Sequence, residues 1–160
     1  MSEDSFFGSI DLDDIDTTFK AGTYRLKLEN IQDREATVED NELKRRFKIF
    51  NFVIDDDNPE IESFNGEQVK GVFLNYWPGI NTELYKSMTP TEKSNFRKAL
   101  NLYKTLARAF GAEEDVIAAG KVQWDDYEDI HVFGRLYPNK QSGDPTLQQD
   151  SIVHEDSVEL

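Results

Sequence analysis

This chain of 160 residues lacks several residue types and sequence segments that would indicate a function class. It contains no cysteine, which excludes disulfide bonds, zinc–cysteine sites and thiol nucleophiles. Its longest stretch without a charged residue, residues 71–82, is too short to span a bilayer. The first residues, Met-Ser-Glu-Asp-Ser, lack the basic and apolar regions of a signal peptide. We therefore expect a soluble protein of a reducing cytoplasm.

Motifs for catalysis or metal binding are also scarce. The chain has no glycine-rich phosphate loop, and the acidic triplet at residues 55–57 lacks the alternating spacing of a calcium loop. The acids of residues 125–129 could hold a hard cation as nuclease carboxylates do, but they are more typical of a polar turn. The sequence predicts a protein that is not an enzyme and that needs neither a metal nor another cofactor.

Basic residues are absent from both ends of the chain. All 18 Lys and Arg lie between Lys20 and Lys140, whereas residues 1–16 carry six acids and residues 141–160 carry five. Although the formal net charge is −14, the body is nearly neutral and can present a basic face. Short acidic segments with few apolar residues do not fold by themselves. We predict an acidic lead-in (residues 1–19), a folded body (20–138) and an acidic disordered tail (139–160).

The body shows the patterns of strands and one long helix. Strands are predicted at residues 23–29, 44–54, 69–77, 122–124 and 130–137, because β-formers or alternating apolar residues recur there. Asn65-Gly66 indicates a two-residue hairpin. Thr89, Pro90 and Glu92 form a capping box that starts a helix, and Gly111 ends it. The pattern favours a mainly β fold with one helix (α+β), an OB-fold-like five-stranded barrel with the helix inserted after the third strand. A ferredoxin-like or SH3-like arrangement stays open.

Cations and aromatic residues alternate along the second predicted strand. Lys and Arg follow phosphates while aromatic rings stack on unpaired bases, so such a strand suits single-stranded nucleic acid. The predicted DNA-binding residues are Arg25, Lys27, Arg46, Lys48, Phe50, Phe52, Trp77, Arg97 and Lys104. In the alternative interpretation, Phe50, Phe52 and Trp77 belong to the core, and the helix cations form an ordinary solvated face.

These features also resemble a known family. The features that carry this resemblance are Ala21-Gly22-Thr23-Tyr24-Arg25-Leu26-Lys27-Leu28, Val72-Phe73-Leu74-Asn75, the helix to Gly111, Ala119-Gly120-Lys121-Val122 and the acidic tail. In these features the chain is similar to phage-encoded single-stranded DNA-binding proteins of the OB-fold type. The resemblance implies non-catalytic coating of single strands during DNA replication or recombination, in the cytoplasm of a bacterial host. It also implies that the tail recruits replication or recombination proteins. The tail residues expected to do so are Glu155, Asp156, Val158, Glu159 and Leu160.

Three other possibilities concern partners. An acidic phage protein can be a DNA mimic that inhibits a host nuclease, or a protein–protein adaptor that docks through its termini. A homodimer is also left open. We further expect the tail to compete with DNA for the basic groove, and to be dispensable for folding.

Overall fold

The structure is a computed structural model, and it describes residues 6, 8–11, 13, 19–35 and 45–157. It contains six strands, three helices and short 3-10 turns. The strands are β1 (Gly22–Glu35), β2 (Arg46–Ile54), β3 (Gln68–Tyr76), β4 (His131–Pro138), β5 (Pro145–Leu147) and β6 (Val153–His154). The helices, all between β3 and β4 in the chain, are α1 (Thr82–Ser87), α2 (Pro90–Ala109) and α3 (Glu114–Ala118). No helix in these ranges has the length and apolar character needed to cross a membrane.

The strands form one antiparallel sheet that is nearly closed into a barrel. Its order is β3-β2-β1-β4-β5, and β6 pairs with β4 beside β5. The two ends of the sheet, β3 and β5, approach each other without a hydrogen-bonded ladder. A register shift between Leu28 and Asn30 places an extra residue in β1. A second shift, opposite Phe50 and Phe52 of β2, places an extra residue in β3 between Val69 and Val72. Such bulges bend the strands that carry them, as they do in barrels. The fold is therefore mainly β, with one long helix.

The core follows from alternation along the strands. Tyr24, Leu26 and Leu28 are buried, while the residues between them face outward. From α2, Leu106 and Phe110 enter the same core. The Phe110 ring lies 5.9 Å from Phe50 and 5.8 Å from Trp124, measured between ring centroids. The long helix is thus held by its apolar face against the barrel interior.

The ends of α2 are those that the sequence predicts. The Thr89 side chain accepts a hydrogen bond from the Glu92 N–H, and the Glu92 side chain accepts one from the Thr89 N–H. At the other end Gly111 has φ +85°, and the Ala112 N–H returns to the Ala107 carbonyl at 3.0 Å. Glycine adopts this conformation without steric cost. The predicted capping box and C-terminal stop are confirmed.

Two local predictions are wrong. Residues 122–124 are not a strand; Trp124 begins a 3-10 turn and packs edge-on against Phe50 at 5.2 Å, so burial of one ring fixes this segment. Asn65-Gly66 is not a two-residue hairpin, because residues 55–67 separate β2 from β3. Gly66 nevertheless has φ +87° and donates its N–H to the Ile54 carbonyl at 2.8 Å, which closes the longer connection.

The predicted disordered tail is also wrong over residues 139–157. β5 and β6 cover the second edge of β4, and Leu147 and Ile152 are buried in the barrel core. This polar segment shows no apolar periodicity, since Leu147 is followed only by the adjacent pair Ile152 and Val153. Leu147 and Ile152 nevertheless each fill a place in the core beside β4. Residues 158–160 lie outside the described residues, as does most of the lead-in before Phe19, which is itself buried.

Candidate nucleic-acid interface

The predicted DNA-binding residues do not form one surface. Phe50 and Phe52 point into the barrel and are fully buried, with Phe110 against both rings. Their prediction as base-stacking residues is wrong, because the apolar alternation of β2 continues inward to Ile54 and places both rings in the core. The other seven residues lie in three separate places.

Arg46 and Lys48 lie at one end of the barrel, in a cluster we call the barrel mouth (Asp33, Glu35, Arg46, Lys48 and Tyr76). The Asp33 carboxylate accepts from Arg46 Nη2 at 2.9 Å, from Lys48 Nζ at 2.8 Å and from Tyr76 Oη at 2.6 Å. Arg46 Nη1 also donates to Glu35 at 2.9 Å. Two cations thus face two carboxylates, and the cluster is neutral.

Electrostatics hold this cluster together. Partial burial raises the pKa of Asp33, but hydrogen bonds from Lys48, Tyr76 and Arg46 outweigh that effect and lower the pKa to about 2. Hydrogen bonds with Tyr76 and Asp33 raise the pKa of the Arg46 guanidinium. Asp33 therefore stays ionised at neutral pH, and a phosphate reaching Arg46 or Lys48 would have to compete with it.

Arg25 and Lys27 lie on the outside of β1, and both are paired. The Arg25 guanidinium donates through Nε and Nη2 to Glu155 Oε1 at 3.1 and 2.8 Å, and Lys27 Nζ lies 3.6 Å from Asp129. Beside Lys27 on β4, His131 Nε2 lies 2.7 Å from Asp55 Oδ2, an interaction that lowers the pKa of Asp55. Acids from loops and from the C-terminal segment thus neutralise this half of the sheet.

Trp77, Arg97 and Lys104 lie on the helix side of the molecule. The Trp77 ring packs against Phe96 of α2, with 5.0 Å between centroids. Arg97 and Lys104 project from α2 itself and form no ion pair with another described residue. These three residues are therefore on the helix side of the barrel, where Trp77 directly follows Tyr76 of the barrel mouth.

A different surface carries exposed aromatic residues beside polar groups. Directly opposed strand residues share a face of a sheet, and the register sets out three rows across β1, β2 and β3. We call this surface the outer face. Its rows are Arg34–Phe47–Asn75, Gln32–Ile49–Phe73 and Asn30–Asn51.

The outer face combines ring surface with hydrogen-bonding groups. Phe73 is 52% exposed, and its centroid lies 6.0 Å from that of Phe47. The Asn51 side chain donates to Asn30 Oδ1 at 2.7 Å. No Asp or Glu occupies a position in the three rows, and Arg34 has no ion pair with any residue that the structure describes. The chain has 32 acids, and the one nearest to these rows along β1, outside the buried side of the strand, is Glu29, exposed next to Asn30 at the register shift.

A groove of about 590 Å³ extends the outer face toward β5. Phe73 and Tyr137, two exposed rings, line it together with Thr146, Gln148, Gln149 and Asp150. The gap between β3 and β5, where the barrel lacks a ladder, produces this groove. Unpaired bases could contact both rings and the amides there, while Asp150 would disfavour a phosphate at that end.

The sequence contained one signal for this surface. Both faces of β2 are rich in apolar residues, so whichever set does not enter the core must lie outside. Phe47 and Ile49 alternate with Phe50 and Phe52. The prediction followed the basic residues, and alternation places Arg46 and Lys48 on the side of the buried rings. Nothing local distinguishes the two sets before the register with β1 is known.

Within the described ranges, no three His, Asp or Glu side chains come together as a metal site. No protein-family model, curated protein or solved structure matches this chain.

Proposed function

We propose that this protein binds single-stranded DNA through the outer face, as a non-catalytic barrel of the OB-fold type acting in phage DNA replication or recombination. The observation that supports it best is Phe73, half exposed beside Phe47 in strand rows that hold no carboxylate. A contiguous exposed apolar patch beside polar residues is typical of an interaction site. A surface that combines such rings with amides and with Arg34, which has no ion pair among the described residues, matches the chemistry of a single strand.

The strand order supports the OB-fold assignment. Around the barrel the strands follow β1-β2-β3-β5-β4 and return to β1, with α2 between β3 and β4 in the chain. Small, partly open barrels of the OB type bind oligonucleotides across their second and third strands. Phe47, Ile49 and Phe73 are on the outside of those two strands here.

Each group on the outer face has a role in this proposal. The Phe73 and Phe47 rings stack on bases, a contact that contributes roughly 1–3 kcal/mol per base. Asn51, Asn75 and Gln32 offer donors and acceptors to base edges, and Arg34 contacts a phosphate. With few cations involved, stacking dominates the affinity, and the salt dependence is moderate.

The C-terminal segment supplies a competing anion. The Glu155 carboxylate accepts hydrogen bonds from the Arg25 guanidinium. Without Glu155, Arg25 would add a further cation to the outer face. Glu155 and Asp156, with Val158, Glu159 and Leu160 beyond the described residues, form an acidic segment that can recruit a replication or recombination protein once DNA displaces it. A DNA-mimic function is less well supported, because a mimic needs acids on its binding surface and the three rows of the outer face hold none.

The test compares two exposed aromatic residues. In fluorescence anisotropy with labelled oligo-dT at low salt, Phe73→Ala should lower affinity by roughly 5- to 150-fold, the range expected from one lost stacking contact. Tyr85→Ala, on α1 and similarly exposed, is the matched control and should leave affinity unchanged. The proposal fails if wild-type protein does not bind oligo-dT, prefers duplex, or loses the same affinity in both variants.

A further inference from the structure

A second apolar surface lies between the end of β3 and α2, where it adjoins Asn75 of the outer face and Tyr76 of the barrel mouth. This helix groove has a volume of about 460 Å³. Trp77, Phe96, Leu100 and Tyr103 line it together with Ile80 and Gly120. Leu100 is 39% exposed although it lies on a helix that packs on the barrel. The groove is therefore an apolar depression open to solvent.

Cations border this groove on the helix. Lys93, Arg97, Leu100 and Lys104 follow one another at helical spacing, so the three cations lie along the exposed rim. Lys93 lies over the Tyr85 ring at 5.6 Å. Arg97 and Lys104 have no ion pair with another described residue. An apolar groove with a positive rim fits a peptide that carries apolar residues among carboxylates.

The chain contains such a peptide. Residues 1–16 have six acids, no Lys or Arg, and five spaced apolar residues: Phe6, Phe7, Ile10, Leu12 and Ile15. Phe6 is 97% exposed and Ile10 is 60% exposed, so this segment does not bury them on its own barrel. Its charge and its uncovered apolar side chains complement the groove.

Chain length indicates which copy of the protein supplies the peptide. Phe19 is anchored beside Tyr24 and Phe64, at the end of the barrel where β3 begins. Trp77 lies at the other end of β3, roughly 26 Å away for a strand of this length. Ile15, four residues before Phe19, can reach only about 13 Å from it. Ile10, nine residues before Phe19, can extend about 30 Å and so could reach the groove of its own chain, but Ile15 cannot. A segment that places both Ile10 and Ile15 on the groove floor must therefore come from a second copy.

We propose that the segment around residues 10–15 of one molecule docks into the helix groove of a second copy. Ile10, Leu12 and Ile15 contact the apolar floor, and the neighbouring aspartates face Arg97 and Lys104. The contact is head-to-tail, so it can add copies one after another instead of stopping at a symmetric pair. The proposal does not depend on nucleic-acid binding.

The test uses charge reversal in the full-length chain without nucleic acid. Sedimentation velocity at rising protein concentration should show wild-type self-association that weakens at high salt. Arg97→Glu/Lys104→Glu and, separately, Asp13→Lys/Asp14→Lys should each weaken it by roughly tenfold. An equimolar mixture of the two variants should associate again, because each then offers the complement of the other. Arg135→Glu/Lys140→Glu, away from the groove, is the control.

Two results would overturn the proposal. One is a wild-type protein that stays monomeric at every concentration. The other is a mixture of folded variants that does not regain association, with folding checked by circular dichroism. A synthetic peptide of residues 1–18, which contains no tryptophan, gives an independent measurement. It should change the tryptophan fluorescence of wild-type protein, to which Trp77 in the groove and Trp124 both contribute, but not that of the Arg97→Glu/Lys104→Glu variant.

Discussion

The outer face and the barrel mouth are built from the same three strands, but they differ in how their cations are paired. The barrel-mouth cations form ion pairs, whereas Arg34 on the outer face forms none with a described residue. At the barrel mouth, Asp33 lies opposite Lys48 and binds both it and Arg46. One residue further along β1, Arg34 lies opposite Phe47 and has no ion pair with a described residue. A shift of one position in a strand changes the face, and with it the carboxylate within reach.

On this sheet the position of the acids, more than that of the bases, decides which cations can bind a phosphate. The sequence places Arg46, Lys48 and the β2 aromatic residues together, but the strand places the rings inside and Asp33 supplies the counter-charge. The outer face has fewer cations and more exposed ring surface. We therefore expect a ligand held mainly by stacking, with a smaller electrostatic contribution.

The largest expected effect concerns the two sets of rings on β2 and β3. Phe50→Ala should lower the free energy of unfolding by about 3–5 kcal/mol, because it empties a fully buried site. Phe73→Ala, on the outer face, should cost less than about 1 kcal/mol. Urea denaturation followed by circular dichroism measures both. Equal losses would mean that the two faces do not differ as the structure indicates.

A smaller effect should separate Arg34 from Lys48. Arg34→Gln should weaken oligo-dT binding by roughly tenfold and reduce the slope of log affinity against log salt by about 1, since one phosphate contact is lost. Lys48→Gln should change little, because Asp33 already neutralises Lys48. Anisotropy titrations at several salt concentrations give both slopes. A larger effect of Lys48 would move the interface to the barrel mouth.

The ion pairs of the barrel mouth should make the stability of the protein depend on pH in the acidic range. Asp33 has a pKa of about 2 in the folded protein against an ordinary 3.8, so its contribution to stability is complete above the ordinary value and is lost as pH falls toward 2. Asp33→Asn should lower stability by about 1 kcal/mol at neutral pH. The difference from wild type should vanish between pH 4 and pH 2 on denaturation curves. A difference independent of pH would assign it to packing.

The smallest effect is expected at Glu155. Glu155→Gln removes the carboxylate that binds Arg25 and should raise oligo-dT affinity about two- to fivefold at low salt, which is the value of one exposed ion pair. The gain should shrink as salt rises. Asp156→Gln, one residue away and without a contact to Arg25, is the control. A gain of the same size in both variants would indicate a general charge effect.

Much of the fold could be predicted because its signals are local. The α2 cap depends on Thr89 and Glu92, three residues apart, and the first half of β1 alternates strictly. The predictions that failed depend on distant partners. Trp124 adopts a 3-10 turn because its ring packs against Phe50. Leu147 and Ile152 are buried because their segments pair with the open edge of β4, which the local sequence does not indicate.

The site could be predicted only in part, for a related reason. The sequence indicates that β2 combines cations and rings, and that the acids are concentrated at the ends. It does not contain the register that places Asp33 opposite Lys48 and Arg34 opposite Phe47. The order of strands in the barrel, which brings Tyr137 near Phe73, is equally non-local.

The C-terminal segment has a consequence for how the barrel forms during synthesis. Residues 145–154 leave the ribosome after β1 to β4, so the second edge of β4 has no partner until then. Arg25 likewise has no contact with Glu155 until that residue, 130 positions later in the chain, has been synthesised. A nascent chain stopped at residue 140 would expose both that edge and the places of Leu147 and Ile152 in the core. Such a fragment would be an aggregation hazard instead of a shortened functional protein.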